Sequence, residues 1–382
     1  IQTTSPPGGS ITVDLNSRDL GGIVALADKF APALAEPVRR IAAGQKTAVL
    51  RAAVSLEDIG GDSANGKIAL AGQVGAVRIS ISASAAGKRE AFSPTDLGAL
   101  TGTDVRVEGR LDSDEASPLL GMLGLDHTIV GDKRPARLEV AASGPLGREL
   151  PFTGKLAAGS LDIAGKGAFK LASAEKSTSL DLEQFAGSVG SSKIQGHLSL
   201  RIGDTPQVSG EIDADNVDAP AVIAAAIGIP ARSSLGGGWS TDPIDWSPLG
   251  VGGHVDFSSQ RATLLPGLST QDLHGLVRFG RSEIVFENIS GSLGRGRLEG
   301  RLAIANTADG VSTRLRVGLT GADAAALYPD AEQPPVSGRL TFQAELEGAG
   351  RSPAAFVGSL TGFGSIGLEG GQFAGLNPDV FG

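Results

Sequence analysis

The chain has 382 residues, 56 of them glycine and 20 proline, with aromatic residues at 4% and a formal net charge of −9. That acidic balance leaves no basic footprint for nucleic acid. The absence of cysteine excludes disulfides, thiolate metal sites and cysteine nucleophiles.

The apolar residues are mostly Ala, Leu, Val and Ile, which bury aliphatic surface but lack the rings that fill a thick core. Residues 17–42 are the longest helical candidate, broken near Pro32 or Pro37. After them the sequence alternates. KIALAG sets Ile68 and Leu70 on one face, and VRISIS does the same with Val77, Ile79 and Ile81. DVRVEGRLDSD follows with Val105, Val107 and Leu111, and ARLEVAA with Leu138 and Val140. Apolar residues at period two, with polar ones between, mark strands with one apolar face. An antiparallel sheet is expected, because parallel strands read as continuous apolar runs. Asp218 is placed to cap an alanine-rich helix that Gly228 stops. Ser93-Pro94, Ser117-Pro118 and Ser352-Pro353 each read as a helix start, with Ser at the N-cap and Pro following. The later strands carry Ile194, Leu198 and Leu200, then Leu298, Leu302 and Ile304. Leu315, Val317 and Leu319 follow, then Leu340, Phe342 and Leu346. The longest apolar run, Ala221–Ile229, is nine residues, against the roughly 20 that span a bilayer. The chain reads as a soluble fragment of a longer protein.

An internal repeat organises the second half. GSLGRGRLEGRLAI at Gly291–Ile304 echoes GSVGSSKIQGHLSL at Gly187–Leu200, an offset of 104 residues. The apolar positions match in register, and both copies run on to an Asp-Ala helix start. The repeating unit is several strands closed by a short helix. Arg232–Gly250, with three consecutive glycines and both tryptophans, reads as a junction, giving units at 1–232 and 233–382.

Local motifs for chemistry fail on inspection. GDSANGKI, Gly61–Ile68, is nearly a phosphate-binding loop, but Ile68 stands where Ser or Thr would hold magnesium, and a strand follows. GRGRLEG, Gly294–Gly300, runs into a strand rather than a helix N-terminus, so it reads as a turn with outward arginines. His127, His197, His254 and His274 have no metal-motif spacing, and His197 falls on a polar strand face. The acidic runs Asp112–Glu115 and Asp213–Asp218 lack the spacing of a calcium loop. No catalytic residue, metal or cofactor is expected.

What recurs is the aliphatic face, and the segments carrying it resemble a known family. SLDLEQFAGSVGSSKIQGHLSL, WSTDPIDWSPLGVGGHVDFSSQRATL and FENISGSLGRGRLEGRLAI are similar to the C-terminal region of the AsmA family of Gram-negative envelope proteins, relatives of TamB. GRLTFQAELEGAGRSPAAFVGSLTGFGSIGLEGGQFAGLN resembles that family's near-terminal pattern. The resemblance runs from about Leu180 to the end and is thinner over 1–150. It implies a mostly β fold, an elongated curved antiparallel sheet forming a repeating groove with a few short helices, in place of a β-sandwich or barrel. It also implies a non-enzymatic periplasmic segment, held at the inner membrane by an N-terminal anchor absent here. Such a segment conducts phospholipids toward the outer membrane and supports its integrity, with an outer-membrane partner at the far end. The rival reading is an assembly factor for outer-membrane proteins that does not transport lipid. On the first reading the groove is lined by Val105, Val107, Leu111, Leu138, Val140, Ile194, Leu198, Leu200, Leu298, Leu302, Ile304, Leu315, Val317, Leu319, Leu340, Phe342 and Leu346.

Overall fold

The computed structural model describes residues 9–18, 21, 47–60, 62–92, 102–123, 133–147, 149–170, 178–203, 206–226, 240–244, 251–328 and 331–374. The chain is mostly β, and its contacts divide it into two compact units, Ile1–Gly190 and Ser191–Gly382. The first boundary therefore lies at Gly190, whereas the sequence junction at Arg232–Gly250 falls inside the second unit. Most of that junction, most of the expected helix over 17–42, His127 and Ser93-Pro94 lie outside the described residues.

Unit 1 holds β1 (Gly9–Ser17), β2 (Ala48–Gly60), β3 (Ser63–Val74), β4 (Val77–Lys88), β5 (Asp104–Ser113), β6 (Ala136–Pro145), β7 (Glu149–Ala158), β8 (Leu161–Lys170) and β9 (Ser179–Val189). Each strand pairs antiparallel with the next, so the unit is an open, curved meander that does not close into a barrel. A 3₁₀ turn, η1 (Arg89–Phe92), follows β4, and helix α1 (Ala116–Leu123) follows β5. In α1 the Ser117-Pro118 pair sits inside the first turn rather than at its cap. Ala116, Leu119, Leu120 and Met122 are buried against Ala48, Val74, Val77, Ala136, Ala158 and Leu161. This is the core of the unit, and it lies at one end of the strands.

Unit 2 holds β10 (Ser192–Arg201), β11 (Gln207–Asp218), β12 (Gly252–Leu265), β13 (Leu268–Phe279), β14 (Glu283–Leu293), β15 (Gly296–Thr307), β16 (Gly310–Asp323), β17 (Val336–Gly350) and β18 (Thr361–Phe373). Its short helices are α2 (Ala219–Ala226), η2 (Ala324–Leu327) and α3 (Pro353–Gly358). The 104-residue offset maps β10 onto β15, β11 onto β16, and α2 onto η2, so the echo is a repeated supersecondary unit. Two predicted caps form as read. Asp218 Oδ1 accepts from the Ala221 amide at 3.0 Å, and Ser352 Oγ accepts from Ala355 at 3.2 Å.

One pairing departs from the antiparallel expectation: β11 and β12 run parallel, in register from Gln207–Gly252 to Asp218–Thr263. Parallel neighbours need a crossover connection. Here α2 opens that connection, which sequence alternation alone does not reveal.

The glycine-rich stretch at 291–304 resolves into a hairpin. Gly294 and Arg295 are its two-residue turn, with φ of 56° and 62°. That doubly positive pair is the turn type whose twist matches its strands. Gly291 and Gly296 belong to the strands themselves. A Cβ on Gly296 would stand 2.5 Å from the Ala322 amide nitrogen, so close strand packing, not turn geometry, keeps that position small. The near-phosphate loop at 61–68 is likewise a hairpin into β3, where Lys67 pairs with Glu57 at 2.8 Å.

Leu119 and Leu120 are fully buried in a helix of only eight residues, too short to persist without tertiary contacts. Leu120→Ala is expected to cost about 2–5 kcal/mol and to release α1 from the sheet. Urea unfolding followed by circular dichroism checks this, with Leu346→Ala, half-open to solvent, as the milder comparison.

Candidate functional site

Residues directly opposed in a ladder project to the same face of the sheet. Following the registers across unit 1 gives rows that hold only apolar residues and glycine from end to end. One runs Leu15, Leu50, Gly72, Ile79, Leu111, Leu138, Leu156, Ile163. The next runs Val13, Ala52, Leu70, Ile81, Gly109, Val140, Gly154, Gly165, Phe185. A third runs Ile11, Val54, Ile68, Ala83, Val107, Ala142, Phe152, Gly167. Nine strands at about 4.8 Å spacing make this face roughly 40 Å long.

The face is covered at its two strand-end margins. Helix α1 packs on the first row, and the Phe92 ring of η1 lies over Gly66, where a Cβ would come within 2.8 Å of it. Between those margins the rows stay open. Ile11 is 68% exposed, Ile68 52% and Val140 36%, with Val13, Val54 and Ile81 also exposed. Contiguous apolar exposure of this kind marks a binding surface in a folded protein.

Unit 2 builds the same face and then roofs much of it. The row Leu198, Gly210, Val255, Val277, Phe286, Leu302, Leu315, Leu346 runs through eight strands. Phe257 and Phe286 meet edge to face on it, with centroids 6.3 Å apart. Ile223 of α2 and Ile244 pack onto Leu302, Ile304 and Val311. Leu327 of η2 packs with Leu293, Leu298, Leu319 and Ala322.

All seventeen residues singled out in the sequence lie on the apolar face of their own unit, and they divide by exposure. Val105, Val107, Leu111 and Leu138 are half-buried and Val140 is exposed, in the open unit. Ile194, Leu198, Leu200, Leu315, Val317, Leu340 and Phe342 are half-buried, and Leu346 is exposed. Leu298, Leu302, Ile304 and Leu319 are buried core. The most open large apolar residues on that face of unit 1, Ile11, Val13, Val54 and Ile68, were outside that set. The signal for Ile11, Val13 and Ile68 was present in ITVDL and KIALAG, which alternate like the rest.

The opposite face is wet and cross-braced. Asp14 pairs with Arg51 at 2.6 Å, Arg316 with Glu345 at 3.0 Å, and Glu287 meets Arg278 and Arg301. Arg297, Glu299 and Arg301 point outward as read, and so does His197, opposite Glu211. A polar ladder crosses four strands of unit 2, with Asp213 accepting from Ser258 and His274 bonded to Ser290 at 2.6 Å. Hollows of about 500 Å³ occur on this face too, one lined by Ser80, Glu108, Arg110, Glu139 and Lys155. They are open dips between charged side chains, and Arg110 is already engaged by Asp112 at 2.7 Å. Among the described residues no three metal-ligating side chains converge. No helix among them is long and apolar enough to cross a membrane.

Comparison with protein-family models, curated proteins and solved structures finds no match.

The brace has a pH signature. Hydrogen bonds from Arg110 and then Arg137 hold the Asp112 carboxyl below its ordinary value of 3.8, against the opposing effect of burial. A carboxylate with a depressed folded pKa stabilises the fold above its unfolded pKa, and that contribution is lost as pH falls through the folded value. Stability is therefore expected to decline below about pH 4. Asp112→Asn should flatten that decline while leaving the neutral-pH fold intact. Thermal melts between pH 7 and pH 2 check it.

Proposed function

We propose that this chain is a non-enzymatic, lipid-conducting segment whose unroofed aliphatic face carries the acyl chains of phospholipids. The observation behind the reading is the run of in-register aliphatic rows in unit 1, open to solvent between α1 and Phe92. The resemblance to AsmA-like envelope proteins supports it and supplies the setting: the periplasm, with phospholipid passing from inner to outer membrane.

The energetics suit a slide better than a pocket. Burying a methylene is worth about 0.8 kcal/mol, so a 16-carbon chain left in water costs roughly 13 kcal/mol. A face that covers one side of the chain recovers about half of that, before the cost of ordering the chain is subtracted. The remainder holds an acyl chain against water without locking it in place. Aliphatic contacts have no direction, so neighbouring rows offer nearly equal sites and the barrier between them is low.

The test uses positions that are exposed, so the fold survives the change. Ile68→Asp and Val140→Asp should each leave the melting temperature nearly unchanged. Native mass spectrometry should show phospholipid copurifying with the parent chain and at least tenfold less with either variant. A parent chain consistently free of lipid, or variants that retain it, overturns the reading. Leu302→Asp, in the roofed core, should instead unfold unit 2.

A further inference from the structure

We propose that the outer edge of β18 pairs with β18 of a second copy of this chain, antiparallel and about a two-fold axis at Ser365. Among the described residues of unit 2, β18 pairs only with β17. Its other edge offers a row of backbone N–H and C=O groups, which only another extended strand satisfies in series. Edge strands usually carry guards: lysine, proline or a short length. β18 is 13 residues long, has no Lys, Arg or Pro, and carries one charge, Glu369. Phe363 and Ile366 on it are each 74% exposed.

The strand's own sequence identifies the occupant. Its regular stretch is Thr361–Glu369, since Gly370 turns to a φ of 61°. With the axis at Ser365, antiparallel pairing sets Ile366 opposite Gly364 of the second copy, Leu368 opposite Gly362, and Phe363 opposite Gly367. Each contact occurs twice, and every large residue meets a glycine. Gly362 and Gly364 are also kept small by the Glu345 and Gln343 carbonyls of β17. Gly367 has nothing within 4 Å of where a Cβ would stand. Nothing within the chain requires its smallness, and its mate in this register is the exposed Phe363. Because opposed residues share a face, Ile366 and Leu368 of both copies would extend one apolar surface, while Phe363 and Ser365 stay on the polar side.

The other open edge does not offer the same fit. Among the described residues of unit 1, β1 pairs only with β2; it is nine residues long and carries Asp14 bound to Arg51 near its middle.

Because the chain has no cysteine, single substitutions give a clean reading of register. Directly opposed strand positions lie within disulfide reach. Under mild oxidation Ser365→Cys should give covalent dimer at least tenfold above Phe363→Cys alone. An equal mixture of Phe363→Cys and Gly367→Cys should crosslink to about half the yield of Ser365→Cys, since half of its dimers are mixed, and well above either variant alone. Sedimentation of the unmodified chain at high micromolar concentration should show a dimer that Ile366→Lys dissociates and Ile11→Lys leaves intact. The proposal is overturned by a chain that stays monomeric, by Ser365→Cys that does not crosslink, or by dissociation through Ile11→Lys. None of these readouts depends on bound lipid, so the lipid reading and this one can fail separately.

Discussion

The structure depends on keeping one strand register in phase across many strands. Side chains alternate with period two, so a slip of one residue in any ladder would send its aliphatic set to the wet side. The irregularities in unit 2 show how tightly that phase is kept. In β12, Ser259 and Ala262 face the apolar side while Gln260 and Arg261 both point out. In β13, Thr270 and Leu273 face it while Gln271 and Asp272 point out. The two departures sit side by side, so Ser259 still opposes Leu273 and Ala262 opposes Thr270. Asp272 takes a φ of 52° to make this fit, and Asn288 takes 53° at the corresponding break in β14. Both are residue types that tolerate the left-handed region.

Given a continuous face, the difference between the units is a matter of roofing. Among the described residues, unit 1 has one eight-residue helix at a strand-end margin and a single phenylalanine at the other. Unit 2 brings Ile223, Ile244 and Leu327 onto its face, and Leu302, Ile304 and Leu319 become core. The roofed unit buries the middle of its rows as well as their ends. The open one buries the strand ends under α1 and leaves the middle of the rows exposed, and the cross-strand ion pairs on its other side stabilise little individually because they are solvated. The open face is therefore a cost to unit 1 that an acyl chain lying on it would offset.

Much of this was legible in the sequence, because alternation is a local signal. The faces of β5, β6, β15 and β16 follow from DVRVEGRLDSD, ARLEVAA, RLEGRLAI and STRLRVGL alone. The 104-residue echo carries through to the element boundaries. What alternation cannot tell is which faces acquire a roof. Leu302 and Val140 look alike in sequence, yet one is core and the other is open, because only Leu302 has Ile223 and Ile244 above it. The parallel β11–β12 pair was equally hidden, since β11 alternates as an antiparallel strand does and its partner is chosen by a crossover. Gly296 and Gly300 look equivalent as well. A Cβ on the first would collide with Ala322, and one on the second would make ordinary contacts with Arg316 and Ile289.

The chemistry of the open face limits how selective it can be. A polar site rejects a wrong ligand because its buried donors and acceptors are left unpaired. The aliphatic rows of unit 1 bury no such groups between α1 and Phe92. A chain differing by one methylene changes the contact by only about 0.8 kcal/mol, and a head group projecting away from the face meets nothing on it. Discrimination among lipids would then have to come from elements outside the rows. The charged groups nearest in sequence are the ones least able to help. Arg106, Glu108, Arg110 and Glu139 alternate with the lining residues, and period two sends them to the far side of the sheet. The alternation that makes the aliphatic face also keeps specificity off it.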